Sequence, residues 1–296
     1  MKKTVLLIFL FGLFFSCKDS DSLSKETSDT NLEFTDYYNR KVKVKHNPET
    51  IISLSPGITE ILFDLGVGNK IIGRTIFCNF PKEALQIEAI GGITDASLER
   101  IIALRPQIVI TSSMVRKDFV ENIEKAGISI ICLPERSNVE GVFSTIKILG
   151  KIFDKENTAD SLINNMKNQL NEIKSTYNKE SYKPSVYYVV GYGATGDFTA
   201  GKNTYINEII ELSGGRNIAN NVSNWSYSKE ELFAQQPDYI IVRQEDLNNF
   251  INTSPYKDLE AVKKKKVLGI NSSLMDCQTC RSVEAIRIIS NFIHQK

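Results

Sequence analysis

The residues able to do chemistry are few, and their spacing argues against turnover. The chain holds only two histidines, His46 and His294, the first in a turn and the second two residues from the end. A metal site built on imidazoles wants two or three convergent rings. Neither histidine stands at a strand end beside a plausible Ser or Cys nucleophile, so no nucleophile–His–acid arrangement is supported. Four cysteines follow Cys17. Cys132 ends an apolar strand pattern and reads as a core residue. Cys277-x-x-Cys280 precedes the last helical pattern. It reads either as a local disulfide in an oxidising compartment or as a redox or thiolate pair, with Cys78 as a further soft donor. Gly191-Tyr-Gly-Ala-Thr-Gly196 satisfies G-x-G-x-x-G after a strand, but a pyrophosphate site needs a helix N-terminus directly behind the glycines. Asp197-Phe-Thr-Ala-Gly201 intervenes, which makes this a loop bordering a cleft.

The loop aromatics are more telling. Phe77 and Phe80 flank Cys78 and Asn79 just ahead of Pro81, and the single tryptophan, Trp225, sits in the polar run Asn224-Trp-Ser-Tyr-Ser. Large apolar side chains outside any helical or strand period act as ligand platforms or as cover for a domain edge.

The elements that must position these groups alternate. Glu33 to Lys45 reads as a hairpin turning near Asn39. Thr50 to Leu54 is a strand pattern, followed by a helix to Leu65 with Ser55 as N-cap and Pro56 in its first turn. Helices at 98–104, 116–126 and 138–152 alternate with strands at 107–111 and 128–133. The same order returns with strands at 185–190, 238–242 and 266–270 and helices at 204–212, 228–235 and 281–294. This predicts an α/β fold of two lobes, each with a mainly parallel sheet. Between them Lys155 to Lys179 is one uninterrupted helical pattern, with Ala159, Leu162, Ile163, Met166, Leu170, Ile173 and Tyr177 on one face. A helix of this length reaches roughly 37 Å, enough to run across both lobes. The domains expected are 32–154 and 180–296, joined by the helix at 155–179. The lobes also share a phrase: Leu98 to Ile110 matches Lys229 to Ile241, pairing Glu99 with Glu230, Ala103 with Ala234 and Pro106 with Pro237.

Lys2 and Lys3 precede the apolar run Val5 to Phe15, which ends at Ser16-Cys17. This pattern is a lipoprotein signal over 1–16 with lipidation at Cys17, and the run is too short to span a bilayer. The polar stretch at 17–31 reads as a flexible tether. The formal net charge is +1, and nothing electrostatic points to nucleic acid.

Taken together, Ile51 to Gly66, Phe77-Cys-Asn-Phe-Pro81, the shared phrase, the long helix, Trp225 and Glu230 resemble the substrate-binding proteins of ABC importers for cobalamin, haem and ferric siderophores. The resemblance runs from about Glu33 to the C-terminus. It implies a monomeric, non-enzymatic receptor without a cofactor of its own, which holds a metal chelate between two lobes and delivers it to an ABC permease. It also implies a place in the cell envelope, held at a membrane by the lipid. Position by position, it implies ligand contacts from Phe77, Phe80, Tyr192, Phe198, Trp225, Asp276 and Arg281, with Trp225 and Phe80 facing one another, and permease docking through Glu99 and Glu230. Two readings of other kinds stay open: a two-lobed metallocofactor enzyme or chelatase using Cys78, Cys277 and Cys280, and a surface scavenging lipoprotein that works without a permease.

Overall fold

The computed structural model describes residues 31–134, 137–177, 182–194, 196–223 and 225–295; the signal at 1–16, Cys17 and most of the tether lie outside them. The chain opens with a hairpin, β1 (Asn31–Thr35) antiparallel to β2 (Lys41–Lys45). Asn39 turns it at φ 57°, a left-handed value that asparagine tolerates.

The N-terminal lobe follows as β3 (Ile51–Ser53), α1 (Pro56–Asp64), β4 (Ile71–Arg74), α2 (Leu98–Leu104), β5 (Ile108–Ser112), α3 (Lys117–Lys125), β6 (Ile130–Leu133) and α4 (Val139–Ile152). Its sheet is parallel, in the order β4-β3-β5-β6. After the connecting helix α5 (Glu156–Tyr177), the C-terminal lobe comprises β7 (Ser185–Val189), α6 (Tyr205–Leu212), β8 (Arg216–Asn217), α7 (Lys229–Gln235), β9 (Tyr239–Arg243), α8 (Leu247–Asn252), α9 (Glu260–Lys263), β10 (Val267–Ile270), α10 (Ser272–Asp276) and α11 (Ser282–Ile293). Its sheet is also parallel, in the order β10-β9-β7-β8. Counted from each lobe's first central strand, the two sheets have the same order: the second strand lies on one side, the third and fourth on the other.

The shared phrase is repeated down to its caps. Ser97 accepts from the Arg100 N–H and Ser228 from the Glu231 N–H, so each helix begins on the same serine cap. Each ends on a left-handed residue, Arg105 at φ 48° and Gln236 at φ 44°, and the prolines behind them cannot continue a helix.

Helix α5 packs on α4 of the first lobe and α11 of the second. Its Ala159, Ile163, Met166 and Ile173 are buried, with Leu162, Leu170 and Tyr177 alongside. Through this face one apolar cluster runs from β2, α1 and α4 into α6 and α11, so the lobes share a core rather than hang on a linker. Close approach fixes the α4–α5 contact: a Cβ on Gly150 would lie 2.7 Å from the Ala159 Cβ. The sequence pattern did not disclose β4, β8 or the short helices α8 to α10. Gly73 interrupts β4, β8 has two residues, and helices of four to six residues are too short for a period to show.

Candidate ligand-binding cleft

In a parallel sheet the crevice for a ligand lies beyond the strands' carboxyl ends. Here those ends surround a cavity of about 420 Å³ between the lobes. Every strand of the N-terminal sheet contributes: Ser55, Pro56 and Gly57 after β3, Phe77 and Asn79 after β4, Ser112 and Met114 at β5, and Leu133 with Pro134 after β6. The opposite wall is Ser272, Ser273 and Asp276 of α10, followed by Cys277 and Gln278. The lining is mainly apolar, with polar groups interspersed, which is the usual make-up of a small-molecule site.

Arg74, at the end of β4, positions the aromatic loop. Its buried guanidinium donates from Nε to the Ala84 carbonyl (2.7 Å), from Nη1 to that of Thr75 (2.9 Å) and from Nη2 to that of Leu85 (3.4 Å). Between those anchors Cys78 is fully buried, its Sγ 3.1 Å from Thr59 Oγ1 and 3.2 Å from Thr75 Oγ1. Phe77 emerges 54% exposed and lines the cavity.

Phe80 and Arg281 meet each other instead of the cavity. The Arg281 guanidinium lies 3.7 Å from the Phe80 ring centroid and forms a two-pronged ion pair with Glu60 of α1, Nε to Oε2 at 2.9 Å and Nη2 to Oε1 at 3.0 Å. Nη2 also donates to Ser273 Oγ. The Glu60 side chain is 3% exposed and that of Arg281 19%. Burial raises the Glu60 carboxyl above its ordinary range, and Arg281 opposes the rise. The pair ties one lobe to the other beside the cleft. A second tie runs from the Val139 N–H, at the start of α4, to Glu208 Oε2 in α6.

Asp276 lines the cavity with its side chain 42% exposed, and Arg243 Nη2 lies 3.2 Å from its Oδ2. Its place in the cleft raises this carboxyl, and Arg243 opposes that. Cys277 and Cys280 stand as separate thiols rather than as a disulfide. Their neighbours differ: Cys277 lines the cavity, whereas Cys280 hydrogen-bonds to Asp64. Burial pushes the Cys277 thiol up to about 12 and raises Cys280 as well. With Cys78 held by two threonines, the three cysteines do not form a soft-donor set. Among the described residues no group of three His, Cys, Asp or Glu side chains is placed to hold a metal.

Tyr192, Phe198 and Trp225 are not among the residues lining this cavity. Tyr192 packs edge-on against Phe250 and Tyr256 and accepts from Asn249 Nδ2. Phe198 bridges Gly191 and Ser226, its ring against Gly191 and Gly196. Trp225 is half-exposed on the loop after β8, its carbonyl accepting from the Thr199 N–H. All three belong to loops leaving the carboxyl edge of the C-terminal sheet. Trp225 and Phe80, expected to face one another, both lie outside the cavity lining, and Phe80 stacks with Arg281. Glu99 and Glu230 are exposed, second residues of α2 and α7. A helix feeding a parallel strand starts at the carboxyl edge of the sheet, so each carboxylate stands on its lobe's cleft side.

Glu60, Met114, Ile93 and Gln278 escaped the sequence reading. Glu60 alone carried a signal: it is a charge among Ile58, Ile61 and Leu62 in the middle of a mainly apolar helix, and a buried charge needs a partner.

Two parallel-sheet lobes, a rigid helix between them and a ligand-sized cleft at their facing edges define a two-lobed binding protein. A profile of the periplasmic binding protein family matches residues 51–274, and the chain belongs to that family. It is 26% identical over 97% of its length to the uncharacterized ABC transporter substrate-binding lipoprotein YvrC of Bacillus subtilis, covering 93% of that protein. It is 29% identical to a vitamin B12-binding protein of Vibrio campbellii over 80% of this chain and 86% of the relative. The periplasmic haem-binding protein RhuT of Roseiflexus sp. RS-1 has the same fold, with a TM-score of 0.75 and 20% identity over 84% of this chain and 98% of its own.

Proposed function

We propose that this chain is a non-enzymatic, monomeric receptor that captures a metal chelate between its lobes and hands it to an ABC permease, held at the cell envelope by lipid on Cys17. The observation that supports this most is the cavity itself. It is ligand-sized, walled by the carboxyl edges of both sheets, and mainly apolar, with Phe77, Met114 and Asp276 in its lining. A bulky, partly apolar chelate wants aromatic faces and a few polar anchors, and its metal arrives already coordinated. Relatives named for vitamin B12, and the resemblance to haem and ferric siderophore receptors, support a metal chelate as the ligand.

In this reading Phe77 and Asp276 contact the ligand directly. Phe80 and Arg281 buttress the wall behind them. Tyr192, Phe198 and Trp225 meet the parts of a large chelate that extend beyond the cavity toward the C-terminal rim. Glu99 and Glu230, equivalent carboxylates on the two lobes, engage basic groups of a permease with two equivalent subunits. No helix among the described residues is long and apolar enough to cross a membrane.

The test is a ligand panel of corrinoids, haem and ferric siderophores on the soluble form beginning at Lys18, read by visible absorbance and thermal shift. A true ligand at 100 times its dissociation constant stabilises the fold by about 2.7 kcal/mol. A panel in which no chelate shifts the melting point refutes the reading.

A further inference from the structure

The receptor reading leaves a pair of reactive side chains unused, Cys277 and Cys280. Both lie in the link at 277–281 between α10 and α11, and this link joins the cleft to the contact between the lobes. At one end the Cys277 thiol lines the cavity. At the other, Cys280 donates to Asp64 of α1, which belongs to the other lobe, and the next residue, Arg281, carries the ion pair with Glu60. Neither thiol is sealed off. Both cysteines are partly exposed, Cys277 toward the cleft and Cys280 beside Asp64, itself an exposed residue.

The C-x-x-C spacing is one in which two thiols close a ring once their Cα atoms lie within about 7 Å. The turn bonds of this link are made elsewhere: Ser282 N–H donates to the Thr279 carbonyl and Arg281 N–H to Thr279 Oγ1. Cys280 is engaged by Asp64 instead. Burial first, and then the Asp64 carboxylate, raise its thiol and keep its proton in place. A disulfide sulfur has no proton to donate, so closing the ring necessarily gives up the Asp64 contact.

We propose that Cys277 and Cys280 form a thiol–disulfide site through which the redox state of the cell envelope, a setting that rests on the receptor reading, acts on the cleft wall and the lobe contact. The oxidant is a small-molecule or protein disulfide, RSSR. One cysteine thiolate attacks it, a mixed disulfide forms and RS⁻ leaves; the second cysteine gives up its proton and displaces the other RS⁻. Two thiols become one disulfide, two electrons pass to the oxidant, and the two protons end on the released thiols. In the product Cys277 is drawn from the cleft wall toward Cys280, and α1 loses its bond from the link. Burial keeps thiolate scarce at both positions, so the site answers sustained oxidation rather than a passing encounter.

The experiment incubates the purified protein at pH 8 with excess oxidised glutathione. Peptide mass mapping should show the loss of two hydrogens at a Cys277–Cys280 disulfide, with Cys78 and Cys132 still reduced. Asp64→Asn, which removes the charge opposing the thiolate, should form the disulfide roughly 3–10-fold faster. Oxidation should speed amide hydrogen exchange across 60–64 and 277–282 by about 3-fold or more, and Cys277→Ser/Cys280→Ser should not respond to the oxidant. The assignment is overturned if both thiols stay free, if either pairs with Cys78 instead, if a folded Asp64→Asn oxidises at the wild-type rate, or if the oxidised and reduced proteins exchange alike. No chelate enters this experiment. Its failure therefore leaves the receptor reading standing, and failure of the ligand panel leaves the thiol chemistry standing.

Discussion

Replacing Arg281 by Met should be far more costly than its partial exposure suggests. The guanidinium makes two hydrogen-bonded contacts to a carboxylate whose side chain is 3% exposed, and its face lies 3.7 Å from the Phe80 ring. Removing one partner of such a pair strands a buried charge, at a cost of about 3–5 kcal/mol. Loss of the stacking on Phe80 adds roughly 0.5–2 kcal/mol. Against a total stability of about 5–15 kcal/mol, this is a large fraction. Removing both charges should recover most of it, so Glu60→Leu/Arg281→Met should lie much closer to wild type than Arg281→Met does. Glu60 supplies a second signature. Its folded-state carboxyl is already raised above 4.5 by burial and is held back by Arg281. Without the arginine it rises further, and a raised carboxyl loses stability as pH climbs through its folded value. The deficit of Arg281→Met should therefore shrink as pH falls toward the ordinary carboxylate range. Urea unfolding from pH 5 to pH 8 reads all three effects. A deficit under 1 kcal/mol, the scale of a surface pair, or one that grows on acidification, would refute the reasoning.

Other consequences follow from single contacts. Glu208, raised by burial and only partly relieved by the Val139 N–H, contributes stability that is lost as pH rises through its folded value. Glu208→Gln should therefore gain on wild type in thermal melts between pH 5 and pH 8. Gly150→Ala should destabilise, by about 1–3 kcal/mol in urea, because its Cβ would meet Ala159 at 2.7 Å; the same change in an open helix gains about 0.5–1 kcal/mol. Cys277, with its thiol pushed up to about 12, presents roughly one thiolate in 10⁴ at pH 8. Iodoacetamide should modify it far more slowly than an unperturbed cysteine, as peptide mapping would show. Glu99→Ala/Glu230→Ala should bind ligand as wild type does yet fail to support uptake, measured at matched expression in cells without a second receptor.

The parts of this fold that were legible in the sequence are those written in local chemistry. The helix read at 98–104 is reproduced to the residue and that at 228–235 to within one, each closed ahead of its proline, and the apolar face of α5 is the face that is buried. The site was legible only in part, because a loop residue has no period to say which way it points. Phe77 and Asp276 line the cavity, whereas Tyr192 is engaged by Phe250 and Tyr256. The resemblance alone made Arg281 a ligand contact; its ion pair with Glu60, 221 positions away, is a pairing that no local pattern reports. The CxxC spacing was equally silent, since it fits a disulfide and two thiols with different neighbours alike.

The ties between the lobes bear on how a ligand enters. Separating the lobes would break Glu60–Arg281, uncover the Phe80 stack and release the Val139 contact to Glu208, all against the shared core along α5. Opening returns both charges to water, so the ion pair alone resists it little; the shared core and the packing on Phe80 are what hold the lobes together. Yet Phe77 and Met114, on the cavity wall, keep about half their surface in solvent. The cavity is therefore reached past these two side chains with the lobes in place. Capture of this kind depends on a preformed surface, and little of the binding free energy is spent on ordering the protein.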